Sequence, residues 1–367
     1  MATKLHISLV GGQTAPVYQG IVYANPDKVI LIHSSDTLEQ AMRIKSEIAF
    51  AVDLQEYDPV DINKIFKKID TISQNIDVKT ELSINLSSGT KPWALAFYSK
   101  FVGKDNVALF YVDQNATIWD LVNRNKHKGV FDMDAQFRLY GNPLVKYIPF
   151  NDYTKDDFAI IDKIKAIRKC NTKDFFELTK VNNLNSVFKN KYLKTGSYLK
   201  YDKKNNTFEM YLKSTKFTKS SSLSSPNIYK ILLNTTWFEL EVAKVISKWE
   251  KIKDLRLNCV FPSKWNLNKN EIDIIADLGF KLLFIECKTN LFDTTDIDKF
   301  ASAVRNYGGM ASKSILITQS PLKPKAIEKC KDNGVMYFSF QNNNTFITSE
   351  KMLFTLLESE LLNINPK

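Results

Sequence analysis

The sequence predicts an α/β protein made of two unlike α/β units joined by a basic connector. Three observations carry that prediction. Residues 1–150 alternate short apolar runs with helical patterns, residues 231–367 run helix, three strands, helix, strand, helix, strand, and residues 151–230 lose this alternation to Lys, Asn and Ser. At roughly 150 residues per domain, a chain of 367 residues is too long for one compact core. Its 44% hydrophobic and 25% charged content is that of a globular protein, which excludes disorder and collagen-like repetition.

In the first unit, Lys4 to Val10, Lys28 to His33, Leu82 to Leu86 and Val107 to Val112 read as buried strands. Leu38 to Phe50 and Ile62 to Ile72 place apolar residues at helical spacing, and Pro92 to Phe101 makes a further helix. Strands separated by helices imply crossover connections and a parallel, Rossmann-like sheet. Such sheets bind ligands beyond the carboxyl ends of their strands, where the strand order switches.

Two strand ends there have distinctive chemistry. Gly11-Gly12-Gln13-Thr14 follows the first strand, and Ser87-Ser88-Gly89-Thr90-Lys91-Pro92 follows Leu86. The second offers small hydroxyls, a glycine able to take positive φ and a lysine just ahead of a helix start, where backbone amides can cradle phosphate. It lacks the spacing of a Walker A loop and of a dinucleotide Gly-x-Gly-x-x-Gly fingerprint. As a purely structural feature it is a well-capped helix. Taken together, Gln13-Thr14 and the turn ending in Thr90-Lys91 resemble the CARF domain of type III CRISPR ancillary proteins. The resemblance implies a homodimer that binds a cyclic oligoadenylate across its two-fold axis, with the tetra-adenylate the expected ring. Carried over, Gln13 and Thr14 would touch adenosine, Ser88, Gly89, Thr90 and Lys91 would line the phosphate and ribose path, and Gly12 would also be ligand-binding. Ser34 and Ser35, after the second strand, are weaker candidates.

The middle segment holds helices over Asp156 to Cys170 and Lys173 to Leu184, and a hairpin over Tyr198 to Lys216 turning at Lys203-Lys204-Asn205-Asn206. The serine-rich Lys219 to Pro226 reads as a surface loop. The net charge of +11 concentrates here: residues 151–230 hold 17 Lys+Arg against 8 Asp+Glu, whereas residues 1–150 balance at 16 each. Such an excess is either a solvated face or a surface for nucleic acid. Tyr192, Tyr198, Tyr201, Phe208 and Tyr211 either pack or stack on bases.

The last unit carries the strongest chemical signal. Asn270 to Asp277 alternates, placing Glu271, Asp273, Ile275 and Asp277 on one face and Ile272, Ile274 and Ala276 on the other. Lys281 to Lys288 is the returning strand, with Glu286 and Lys288 on one face. A two-residue loop leaves Asp273 diagonal to Glu286, and a four-residue loop sets them opposite. Either register brings the carboxylates within ~5–8 Å. Like charges so close call for a cation, and oxygen donors suit Mg²⁺ or Mn²⁺. In the helix Thr236 to Trp249, Phe238, Val242, Val245 and Trp249 form the buried stripe. Glu241 lies beside Lys244 and Lys248, which leaves Glu239 as the inward carboxylate. Helices from Asp296 to Tyr307 and from Pro324 to Lys331 alternate with strands Ser314 to Thr318 and Val335 to Phe340, the order of a restriction-endonuclease-like core.

Glu239, Asp273 and Glu286-Cys287-Lys288 resemble the PD-(D/E)xK nuclease motif, and Trp237-Phe238-Glu239 with Asn270-Glu271-Ile272-Asp273 resemble the branch fused to CARF domains. Ile272 stands where that motif has proline. The resemblance implies a metal-dependent endonuclease in which Asp273 and Glu286, with Glu239, hold Mn²⁺ or Mg²⁺ and Lys288 positions water. Single-stranded RNA and DNA are its implied substrates, with duplex nicking open, and antiviral CRISPR defence its setting. Two rivals stand beside this reading: a non-enzymatic sensor that binds nucleic acid, and an endonuclease gated by no ligand. Cys170, Cys259, Cys287 and Cys330 form no CxxC pair, and three scattered histidines add no zinc pattern. The absence of an apolar leader or a long apolar run makes a cytoplasmic, membrane-free protein the expectation.

Overall fold

The computed structural model describes residues 3–181, 188–214, 218–262, 271–291, 293–309, 312–342 and 346–362. The first unit consists of β1 (Lys4–Leu9), α1 (Ala15–Ala24), β2 (Lys28–His33), α2 (Leu38–Glu47), β3 (Ala51–Glu56), α3 (Ile62–Asn75), β4 (Glu81–Asn85), α4 (Lys91–Phe101), β5 (Val107–Val112), β6 (Thr117–Asp120) and β7 (Lys126–Lys128). The sheet order is β3-β2-β1-β4-β5-β6-β7, and β1 to β5 are parallel. The order reverses between β1 and β4, so the loops after these two strands flank the switch point. The apolar stretches become the buried Ile7, Leu9, Ile30, Ile32, Ile84 and Leu109. Strand β3 was not anticipated: as an edge strand it carries Asp53, Gln55 and Glu56 and none of its residues is buried, so it lacks the apolar run of its neighbours. The antiparallel β6 and β7 close the other edge.

Next come α5 (Met133–Leu139), β8 (Lys146–Pro149), α6 (Lys155–Arg168), α7 (Thr172–Thr179), β9 (Lys191–Tyr192), β10 (Tyr198–Asp202), β11 (Thr207–Lys213), β12 (Thr218–Ser224) and α8 (Ile228–Leu232). Strands β9 to β12 form an antiparallel sheet ordered β12-β11-β10-β9. The β10–β11 hairpin turns where expected, pairing Asp202 with Thr207; Lys216, placed in that hairpin by the sequence, lies outside the described residues, as do 182–184 of the second helix. The serine-rich loop expected over 219–226 is corrected to strand β12. Its serines pair along β11, and Leu223 is buried opposite Phe208, so a polar edge strand carried loop-like composition. Of the aromatics, Phe208 is fully buried under Tyr201 at 4.5 Å, whereas Tyr192, Tyr198 and Tyr211 form a ladder at 6.0 and 5.3 Å.

The last unit is α9 (Thr236–Ile246), β13 (Asp254–Val260), β14 (Glu271–Asp277), β15 (Leu282–Lys288), α10 (Thr295–Gly308), β16 (Lys313–Thr318), α11 (Pro324–Asp332), β17 (Met336–Ser339) and α12 (Phe346–Leu362). Its sheet runs β17-β16-β15-β14-β13-β8. Strand β8, counted with the first unit by the sequence reading, is thus the edge of the last sheet, antiparallel to β13. The connector also changes character: Ile160, Ile164, Phe175, Leu199 and Phe208 share one core with Trp237, Leu240, Ile274 and Ile285, so the middle segment packs as part of the third unit rather than bridging to it. The opposite sheet face covers Ile275, Phe284 and Leu316 with Phe300, Val304 and Tyr307 of α10 and Phe137 of α5. Helix α12, which the sequence reading did not include, buries Leu353, Leu357 and Leu361 at one-turn spacing. No helix among the described residues is long and apolar enough to cross a membrane.

Candidate functional sites: a switch-point cavity and a carboxylate hairpin

At the switch point the two loops are stitched together by one side chain. The Gly11 N–H donates to Ser88 Oγ at 3.0 Å, and Ser88 Oγ donates to the Gln13 carbonyl at 3.1 Å. Gly89 has φ +76°, and a Cβ on Gly11 would fall 2.7 Å from the Gly89 nitrogen, so the pair must be glycine for the loops to meet. Beside them lies a cavity of ≈ 780 Å³ lined by Gly11, Gly12, Gln13, Ser87, Ser88 and Gly89, by Tyr111 and Tyr140, and by Arg305 and Gly309. Gly12, Gln13, Ser88 and Gly89 were expected there. Five other candidates are placed elsewhere within one chain. Thr14 is buried and donates to the Leu139 carbonyl. Ser34, with Ser35 next to it, belongs to the capped turn before α2, where the Ser34 N–H donates to Thr37. Thr90 caps α4 by accepting from the Trp93 N–H, and Lys91 is the first residue of that helix, outside the cavity lining. Tyr111, Tyr140, Arg305 and Gly309 were not predicted, and Arg305 and Gly309 were not legible because only the packing of the last unit against the first brings them here.

The second site forms where two strands part. The β14–β15 ladder begins at Asp277–Leu282, the four-residue loop, and is paired as far as Ile274–Ile285. Continued, the register sets Asp273 against Glu286. Instead of a further ladder bond, the Cys287 N–H donates to Asp273 Oδ2 at 2.7 Å, so the carboxylate occupies the gap between the strands. On the other side of Asp273 the Leu257–Ile274 and Cys259–Ile272 pairs flank Asn258, which sits at φ +50°. This left-handed residue turns its amide to Glu239, donating to Oε2 at 3.1 Å. Ile272 joins Cys259 and Phe261 in the core beneath α10, whereas Ile274 and Ala276 face α9. The strict alternation expected of β14 is corrected accordingly.

Electrostatics at this site are those of crowded acids. Burial, and then the charge of Asp273, push the Glu286 carboxyl up to about 8. Glu239, buried beside Asp273 and Glu271, is held well above the carboxylate range. Asp273 is raised by burial, against the pull of Lys288 and the Cys287 amide. Lys288 Nζ lies 2.6 Å from Glu286 Oε1; burial opposes its charge, but Asp273 and Glu286 outweigh burial and hold it above its ordinary value. Glu241 points away and pairs with Lys165 of α6. Among the described residues no three acidic, histidine or cysteine groups converge on one ion position, so the structure brings Asp273, Glu286 and Lys288 into one cluster with Glu239 alongside, rather than a closed three-ligand cage. Asn258 was missed by the sequence reading, although an asparagine inside the apolar run Leu255 to Val260 is a signal of a strand irregularity. Asn270 lies outside the described residues.

Architecture and sites define an α/β protein with a doubly wound unit opening on a glycine- and serine-lined cavity, fused to a mixed sheet that carries a carboxylate–lysine hairpin. Residues 5–139 match the family model described as the Card1 CARF domain. Among solved structures, Can2 from Sulfobacillus thermosulfidooxidans in complex with cyclic tetra-adenylate is similar over 98% of both chains, at 19% identity and a TM-score of 0.67. Protein VC1899 from Vibrio cholerae is similar over 97% of this chain and 98% of its own, at 14% identity and a TM-score of 0.71. A type III CRISPR defence DNA nuclease activated by cyclic oligoadenylate shares 14% identity over 93% of this chain at a TM-score of 0.57, and this chain spans about half of its length. No curated protein matches the chain. The chain is thus an α/β protein whose N-terminal unit is a CARF domain, in a fold it shares with these structures.

Proposed function

We propose that this protein is a metal-dependent nuclease of type III CRISPR defence, switched on by a cyclic oligoadenylate and acting as a homodimer. The observation that carries the reading is the pairing, within one chain, of a CARF domain with the Asp273–Glu286–Lys288 cluster at a strand end. Support for the ligand comes from the neighbour solved with cyclic tetra-adenylate and from the nuclease activated by cyclic oligoadenylate. The loops at the switch point supply hydroxyls and backbone amides suited to ribose and phosphate.

The acidic site fits a hard cation on its own chemistry. Asp273 and Glu286 are half-buried oxygen donors, each held above its ordinary proton affinity by burial and Glu286 also by the charge of Asp273, which is the donor set Mg²⁺ and Mn²⁺ take. Asp273 and Glu286 would hold the ion, and Glu239 would complete the shell or serve a second ion. When bound, the ion supplies acidification of a water and neutralisation of charge on the scissile phosphate. Lys288, kept protonated at Nζ by Glu286, orients the attacking water or donates to a phosphate oxygen. Asn258 fixes Glu239 Oε2 from its left-handed position in β13. Attack in line on phosphorus breaks the phosphodiester, and single-stranded RNA and DNA, with duplex DNA as a nicking substrate, are the proposed targets.

The homodimer is supported by an apolar stripe on α4 and its C-cap: Leu95, Tyr98 and the capping Val102 are 70%, 38% and 41% exposed and follow Lys91 at intervals of three to four residues. Packing this stripe on a second copy would carry Lys91 to the two-fold axis, where it would meet a ligand shared by two cavities. The ligand then favours one dimer geometry and shifts the population toward it. Asp273→Asn and Glu286→Gln should each abolish cleavage while cyclic tetra-adenylate binding, measured by calorimetry, is retained; cleavage that survives both would overturn the assignment.

A further inference from the structure

The cavity of the CARF domain has a wall that does not belong to it. Arg305 and Gly309 stand at the end of α10, a helix of the last unit, and among the described lining residues Arg305 is the cation. That end is anchored to the first unit. The Asn142 side-chain amide donates to the Asn306 carbonyl at 2.9 Å. Gly309, at φ +69°, lies so close to Tyr140 that a Cβ would come 2.4 Å from its ring. Tyr140 in turn follows Leu139, whose carbonyl accepts from Thr14 at the start of α1.

The other end of the same helix lies by the acidic site. Helix α10 packs on β15 and β16, and Asp296 in its first turn acts on Glu286 through its charge. Its buried face, Ile297, Phe300, Ala301, Val304 and Tyr307, is set in the core that also holds Phe284, two residues before Glu286. With 14 residues at about 1.5 Å each, α10 is a rod of about 20 Å with one end in each site. A cyclic oligonucleotide brings one phosphodiester charge per nucleotide, and the lining of the cavity answers it with a guanidinium from the effector unit.

We propose that Arg305 contacts the phosphodiester backbone of the ligand and that α10 transmits ligand occupancy to β15 as a rigid element. The inference rests on the nuclease reading for its ligand class. Such a contact makes the effector unit part of the sensor: a ligand held by the loops of β1 and β4 and by Arg305 favours the arrangement in which α10 is drawn to the cavity. The alternative role for Arg305, a cation that favours the carbonyl end of its own helix, affects stability alone.

The test compares wild type, Arg305→Ala and Arg305→Lys in the full-length protein. It uses calorimetric titration with cyclic tetra- and hexa-adenylate, thermal melting without ligand, and cleavage of single-stranded DNA with Mn²⁺ across ligand concentrations. Arg305→Ala should weaken binding about tenfold or more, a loss expected for a charged contact, should raise the ligand concentration for half-activation at least equally, and should lower cleavage at saturating ligand. Arg305→Lys should recover part of each. Unchanged affinity with a lower melting temperature would reduce Arg305 to a helix-end cation and overturn the contact. Weaker binding with undiminished cleavage at saturation would overturn transmission through α10. A wild type that binds neither ring would overturn the ligand class itself, while a wild type that binds but does not cleave would overturn the nuclease reading and leave the Arg305 contact to be decided by titration alone.

Discussion

Asp277 shows how one residue at the base of the hairpin sets a pH dependence separate from the acidic site. It is buried, lies opposite Asp254 on β13, and accepts from the Gly279 N–H at 2.6 Å. Burial first, and Asp254 second, push its carboxyl up to about 6. A carboxyl raised in the folded state binds its proton more tightly there than in the unfolded chain, so its contribution to stability falls as pH climbs from about 4 to about 6 and stays lost above. Asp277→Asn removes that cost while keeping an oxygen for Gly279. Thermal melts should show the variant gaining about 1–3 kcal/mol at pH 7 and little at pH 4; equal melting temperatures at pH 7 would contradict the account. Asp273, Glu286 and Lys288 were legible because a period of two puts them on one face for a loop of either two or four residues; only an odd loop would have separated them. What the period could not show was the side chain of Asp273 entering the gap after Ile274–Ile285, because that depends on the ladder ending.

Element geometry accounts for the rest of the site. The irregularity in β13 places Asn258 in the left-handed region and turns its amide to Glu239. Backbone and side-chain roles separate by substitution. Asn258→Gly keeps the conformation and removes the donor to a buried acid, which should cost about 1.5–3 kcal/mol by denaturant titration. Asn258→Ala adds left-handed strain of about 1 kcal/mol more. Equal stability of wild type and Asn258→Ala would remove the left-handed Asn258 and its amide from the account. Composition misled where a polar edge strand, β12, carried its serines, and where β3 lacked an apolar run. Both are edges, positions at which half of the alternation signal is absent.

At the scale of the molecule, the basic middle segment turned out to share its core with the last unit, which places its lysines on the body that carries the acidic cluster. Sequence periodicity could not show this, nor the approach of α10 to the CARF cavity, because both are contacts between distant stretches of chain. The exposed α4 stripe makes a whole-molecule prediction: wild type should elute at about twice 42.1 kDa in light-scattering chromatography, and Leu95→Glu with Tyr98→Glu should elute as the monomer with cleavage lost. A wild-type monomer that still cleaves on ligand addition would contradict it. The central claim is that the CARF cavity gates the carboxylate site. Its most direct measurement is cleavage of single-stranded RNA, single-stranded DNA and plasmid in Mn²⁺, with and without cyclic tetra-adenylate, by wild type and Glu286→Ala. The account predicts cleavage by wild type with ligand and none in the other three combinations; full activity of Glu286→Ala, or an equal wild-type rate without ligand, would contradict it.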